Sequence, residues 1–158
     1  MGNYTSTKII ELGSCAFRQW QADPKYATKG LAREGNSCYK LHGYQLKAKF
    51  IFGCSDLDER NWCVDYGSLK ELKANLNKQF DHTTTISATD PNLPLFKQLH
   101  EAGACDLKVM DGVGVEKVAE FCYNMASNFI EKMYGDRCWV ESVEVFEHEA
   151  NSSIYKKQ

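Results

Sequence analysis

The chain has 158 residues, 43% of them hydrophobic and 25% charged, with a formal net charge of −2 and a pI near 6.1. That size and composition give one globular domain over residues 1–158 with a core of its own. The small net charge excludes the basic excess expected of a nucleic-acid partner, and no apolar run nears the ~20 residues needed to span a bilayer, which argues against a membrane partner.

The start, MGNYTSTKIIELG, lacks the basic and apolar stretches of a secretory signal, so a cytoplasmic location is expected. Gly2 and Ser6 match the N-myristoylation pattern, which is short and often met by chance. Residues 7–20 read as a strand with polar ends. Residues 21–37 carry Pro24, Gly30 and Gly35 without periodicity and read as a long loop. Tyr44, Leu46, Ala48, Phe50 and Phe52 then alternate with Gln45, Lys47 and Lys49, the period of a half-buried strand. A hairpin with the first strand is the simplest connection.

From Ser68 the period becomes helical, with Leu69, Leu72, Leu76 and Phe80 on one face. Ser68 and Glu71 form a candidate capping box, and the helix is expected to end near Asp81-His82-Thr83. Residues 83–112, rich in Thr, Ser and Asp and holding Pro91 and Pro94, read as an irregular insert. A second helix is predicted from Val115 to Tyr134, its stripe built from Val118, Ala119, Cys122, Met125, Ala126, Phe129, Ile130 and Met133, with Gly135 as its stop. Residues 138–150 alternate again as a third strand, and Ser153 to Lys156 read as a short fourth. The class is α+β: a four-stranded antiparallel sheet with two helices on one face. Its edges are open, and pairing with further subunits is one way to protect them.

Seven cysteines, Cys15, Cys38, Cys54, Cys63, Cys105, Cys122 and Cys138, form no C-x-x-C pair. All but Cys38 read as small buried hydrophobes in a reducing compartment. Cys38 follows a glycine-containing loop and stands four residues before His42-Gly43. Asp81-His82 follows a helix, and Glu147 lies near the end of the third strand. None of these is specific alone. A Cys with a His and an Asp elsewhere is the minimum set for an activated thiolate.

Together, in this order, these segments resemble the superfamily of 6-pyruvoyl-tetrahydropterin synthases and 6-carboxytetrahydropterin synthases. Its landmarks are F-x-A-x-H-R, a Cys before H-G-H, D-[FY]-x-x-L-K, D-H, P-T-x-E-N-[LIV]-A and a late strand Glu. The chain has GSCAFRQ, Cys38 before L-H-G-Y, VDYGSLK, FDH, VGVEKVA and VEVFE, spread over about residues 9–155. The four-residue step from Cys38 to His42 is closer to the bacterial 6-carboxytetrahydropterin synthases.

The resemblance implies the tunnelling fold, with subunits closing an oligomeric barrel, commonly a homohexamer, and active sites between subunits. It implies Cys38 as proton-abstracting thiolate and Asp81 and His82 as its relay. Glu147 would anchor a pterin, and Gly114, Val115 and Glu116 would form the segment against the ring, with Gly114 and Val115 standing where hydroxyl residues are usual. It also implies a zinc site, and here the chain departs. Of the three histidine positions only His42 is kept; Phe17 and Tyr44 occupy the others. Phenylalanine has no donor atom and tyrosine is not a normal zinc ligand, so zinc is expected to be absent and no other cofactor is expected. Cys15, on the face of Phe17, is one candidate for a rebuilt site with His42. His100 and His148 read as surface histidines.

The expected function is therefore that of a divergent lyase acting on the C6 side chain of 7,8-dihydroneopterin triphosphate or a related dihydropterin, its product feeding deazapurine or tetrahydropterin synthesis. The alternatives are a zinc-free paralogue that binds a pterin without turnover, and a protein keeping only the oligomeric fold.

Overall fold

The computed structural model describes residues 3–28, 30, 33 and 35–158; Gly2 of the acylation pattern and residues 29, 31, 32 and 34 of the expected loop lie outside these. Strand β1 (Tyr4–Phe17) pairs antiparallel with β2 (His42–Cys54), in a register running from Tyr4 opposite Cys54 to Phe17 opposite His42. β1 lies three residues earlier than its sequence pattern suggested. It leaves the sheet after Phe17 because the Gln19 N–H turns to the Cys38 carbonyl, 2.9 Å away, and not to a ladder partner. The alternation in β2 is as read: Leu46, Ala48, Phe50 and Phe52 are fully buried, each 0% exposed. Burying a side chain of this size contributes ~1.5–3 kcal/mol.

The register of β1 shifts between Glu11 and Gly13, a bulge that leaves Leu12 without a partner of its own. Gly13 sits at φ +108° there, and any Cβ at that position would overlap Asp81. The bulge is thus the seat of the Asp81 side chain.

A 3-10 turn (Tyr66–Leu69) leads into helix α1 (Lys70–Phe80), which buries Leu72, Leu76 and Phe80. The expected capping box is not formed. Asp65 caps the turn by accepting from the Gly67 N–H at 2.9 Å, and the Ser68 hydroxyl donates to the Asp65 carbonyl at 2.6 Å. An Asp side chain three residues upstream has reached the free amides first.

The stretch 83–112 is not an irregular insert. It contains β3 (Thr83–Ser87), α2 (Leu93–Glu101) and β4 (Leu107–Met110). β3 pairs parallel to β1 and β4 parallel to β3. Helix α3 (Val115–Tyr134) has the predicted ends, and Gly135 closes it at φ +59°. Its stripe is also as read, except that Tyr123 joins the buried set and Met133 is exposed. Strands β5 (Cys138–His148) and β6 (Asn151–Tyr155) complete the sheet.

The sheet is therefore mixed and six-stranded, in the order β4-β3-β1-β2-β5-β6, where four antiparallel strands were expected. The α+β class holds. α1 lies against β1, and α3 against β5 and β6. No helix among the described residues is long and apolar enough to cross a membrane.

Candidate active site

The site is built where the β1–β2 hairpin opens. Phe17 and His42 face each other across the ladder, and Cys15 faces Tyr44. The three rings of Phe17, His42 and Tyr44 pack together, with centroids 5.3–5.9 Å apart. The connecting segment is pinned at its return. The Gln19 backbone holds the Cys38 carbonyl, Arg18 Nη1 donates to the Tyr39 carbonyl at 3.1 Å, and the Cys38 N–H donates to Asn36 Oδ1 at 2.9 Å. These bonds leave the Cys38 side chain exposed.

The second wall is the N-terminus of α3. Gly114 precedes it at φ +106°, ψ 166°. The Gln19 amide Nε2 donates to the Val113 carbonyl at 2.8 Å and occupies the space a Cβ of residue 114 would need. Gln19 thus ties the thiol-bearing loop to the start of α3. The third wall is the β5–β6 turn, where Asn151 Nδ2 donates to Glu147 Oε1 at 3.0 Å. The Glu147 side chain is 21% exposed.

These walls enclose a cavity of about 490 Å³. Cys38, His42, Tyr44, Gly114, Val115, Glu116 and Glu147 all line it, as do Phe17 and Gln19. Residues 109 positions apart in sequence, Cys38 and Glu147, therefore share one pocket. Asp81 and His82 are not among its lining residues. They form a pair of their own, His82 Nδ1 to Asp81 Oδ1 at 2.9 Å, docked on the bulge by the Ser14 N–H, which donates to Asp81 Oδ1 at 3.1 Å. His82 is held at φ +57° with its side chain 86% exposed.

The electrostatics of the pocket centre on Tyr44. Burial, and after it the neighbouring Glu147 and Cys38 side chains, raises its pKa above the ordinary phenol value, so it stays protonated. His42 Nδ1 lies 2.7 Å from the Lys40 carbonyl. A carbonyl only accepts, so Nδ1 carries the hydrogen, and in the neutral ring Nε2 is left as an acceptor.

This donor set does not fit zinc. Phe17 has no donor atom, the Tyr44 phenol is held protonated, and one imidazole is too few. Cys15 does not rebuild the site: its sulfur is buried 3.3 Å from Thr85 Oγ1, and burial raises its pKa despite the hydrogen bonds of Thr85 and Thr83. Among the described residues no three His, Cys, Asp or Glu side chains come together to hold a metal ion. His100 ties α2 to β4 by accepting the Leu107 N–H at 3.1 Å, and His148 accepts the Ala150 N–H at 3.2 Å in the β5–β6 turn.

The sequence reading missed the residues that position this pocket, Arg18, Gln19, Asp90 and Asn151. One signal was available: Arg18 follows directly on a buried strand, and a charge there requires a buried partner. Nothing local identified Asp90 as that partner.

The model of the 6-pyruvoyl tetrahydropterin synthase family matches residues 14–158. A 6-carboxy-5,6,7,8-tetrahydropterin synthase of Aquifex aeolicus is 26% identical over 99 residues, and the match spans 61% of each chain. A crystal structure of an uncharacterised protein from Wolinella succinogenes superposes with a TM-score of 0.80 over the full length of both chains, at 19% identity. The 6-pyruvoyl tetrahydropterin synthase of Caenorhabditis elegans superposes with a TM-score of 0.66, covering 100% of this chain and 98% of its own, at 16% identity. These superpositions establish a common fold, and the family match begins at the bulge and takes in every element that lines the pocket. The chain thus belongs to the 6-pyruvoyl tetrahydropterin synthase family.

Proposed function

We propose that the protein binds a pterin-type ring in the Cys38–Glu147 pocket and acts on its C6 side chain, as a lyase for 7,8-dihydroneopterin triphosphate or a related dihydropterin. The observation that carries this reading is that Cys38 and Glu147 line one cavity. In it, the Glu147 carboxylate accepts from the 2-amino group and a ring N–H of the ligand, a fork of two acceptors meeting two donors. Asn151 holds one of its oxygens in place. Gly114 to Glu116 supply backbone against the ring edge. Cys38 removes the side-chain proton, and the electron pair moves toward the ring.

The Asp81–His82 pair reaches Cys38 from a neighbouring copy in a homo-oligomer. Its exposure, and its absence from its own chain's pocket, support that arrangement.

Chromatography of products after incubation with dihydroneopterin triphosphate tests the enzyme reading. Turnover is expected in the wild type. Cys38→Ala is expected to lose turnover while keeping pterin binding, and Glu147→Ala to lose binding. Mixing Cys38→Ala and His82→Ala subunits is expected to restore part of the activity that each lacks alone. Pterin binding without turnover in the wild type favours the second reading, a non-catalytic pterin-binding paralogue. The absence of a zinc donor set around Phe17, His42 and Tyr44 supports that alternative.

A further inference from the structure

The pocket holds two polar atoms with no protein partner among the described residues. The Tyr44 hydroxyl makes no hydrogen bond among the described residues, although its ring packs against Phe17, His42 and His148. His42 uses Nδ1 on the Lys40 carbonyl, and Nε2 makes no hydrogen bond among the described residues. The two rings stand edge to face, 5.3 Å apart and at 84°, with both residues lining the cavity. One atom is a donor and the other an acceptor. A polar group left unpaired when a ligand displaces water costs ~1–3 kcal/mol, so a ligand that fits must satisfy both.

Charge narrows the choice of that ligand group. Among the described lining residues there are two carboxylates, Glu116 and Glu147, and no lysine or arginine. An anionic group beside Tyr44 would meet these carboxylates without a counter-charge, and it would offer no hydrogen to His42 Nε2. A carbonyl has no hydrogen either. A hydroxyl both accepts and donates and carries no charge, and it alone of these matches the pair.

We propose that Tyr44 and His42 form a metal-free clamp for a hydroxyl on the side chain of the ring ligand, with Tyr44 Oη donating to it and His42 Nε2 accepting from it. This rests on the reading that Glu147 anchors a pterin ring. It makes Tyr44 and His42 the residues that select a side chain bearing a hydroxyl next to the ring over one that is bare or carboxylated there.

The test is fluorescence titration of the full-length protein with neopterin, which carries side-chain hydroxyls, 6-methylpterin, which has the same ring and none, and 6-carboxypterin, which is anionic. The wild type is expected to bind neopterin ~10-fold tighter than either of the others, the size of effect one satisfied donor–acceptor pair gives. Tyr44→Phe is expected to weaken neopterin ~10-fold and to change 6-methylpterin by less than about twofold. His42→Phe is expected to do the same, and Glu147→Gln to weaken all three. Equal wild-type affinity for neopterin and 6-methylpterin overturns the clamp and leaves the ring anchor standing, as does a Tyr44→Phe effect of the same size on both ligands. Tighter neopterin binding on addition of zinc also overturns it. Failure of the wild type to bind any of the three overturns the ring-anchor reading and the clamp with it.

Discussion

Asp90 grips the Arg18 guanidinium at two points, Oδ2 to Nε at 2.7 Å and Oδ1 to Nη2 at 2.9 Å, and a third nitrogen of the same group reaches the Tyr39 carbonyl beside the thiol. The Arg18 side chain is 10% exposed and that of Asp90 0%. Removing one partner would strand the other charge in the interior. Asp90→Ala is therefore expected to cost ~3–5 kcal/mol in urea unfolding, and an apolar pair such as Arg18→Met with Asp90→Leu to cost much less. Equal losses in the single and double variants would show that the pair matters through its volume alone.

Gln19 is expected to matter for the ligand more than for the fold. Gln19→Leu removes the bond to Val113 while keeping bulk, and one such hydrogen bond contributes only ~1 kcal/mol to stability. The start of α3 would then be free to shift against the Cys38 loop. Pterin affinity should fall by a larger factor than the folding constant, as measured by titration and by urea unfolding on the same sample.

The cysteines should label in a fixed order. Cys38 is exposed, Cys105 half-buried, and Cys15, Cys54, Cys63, Cys122 and Cys138 are buried. Mass spectrometry after iodoacetamide treatment of the folded protein should show one fast adduct at Cys38 and a slower one at Cys105. The remaining five should react only once the chain unfolds.

Alkaline pH should destabilise the fold through these same groups. Burial, with the neighbouring Cys63, pushes the Cys54 thiol from an ordinary 9.0 up to about 11. Burial also raises Cys15, Cys122, Cys138 and Tyr44. In each case the folded state holds its proton more tightly than the unfolded chain. The stabilisation is complete below pH 9 and is lost as pH rises through the folded-state values. Urea midpoints should hold from pH 7 to 8.5 and fall above about pH 9, the ordinary thiol range. Cys54→Ala should make that fall shallower.

In the core, Leu76 is 0% exposed beneath the sheet. Leu76→Ala should cost ~2–5 kcal/mol in urea unfolding, the range for a buried leucine that leaves a cavity.

Elements with a long, one-sided pattern were legible in the sequence. α3 repeats its apolar spacing over five turns, and the alternation of β2 separates a fully buried face from one of lysines, so both emerged with correct faces. The run 83–112 was opaque for physical reasons. β3 reads TTTIS and is buried at every position, so it shows no alternation. β4 has only four residues. The two prolines suggested an irregular insert, yet Pro94 occupies the first turn of α2, where its missing N–H costs nothing. At the site, the lining side chains Cys38, His42, Tyr44 and Glu147 could be named from motif order, whereas Arg18 with Asp90 and Gln19 with Val113 are contacts between distant segments that no local pattern encodes.

The tight fit between residues 19 and 114 also couples the two positions. The Gln19 amide fills the volume that any larger residue at 114 would claim, and the Gly114 backbone takes a conformation few other residues tolerate. A side chain at 114 would have to swing the Gln19 amide off the Val113 carbonyl and accept a positive φ, so a substitution there loosens the wall as well as changing it.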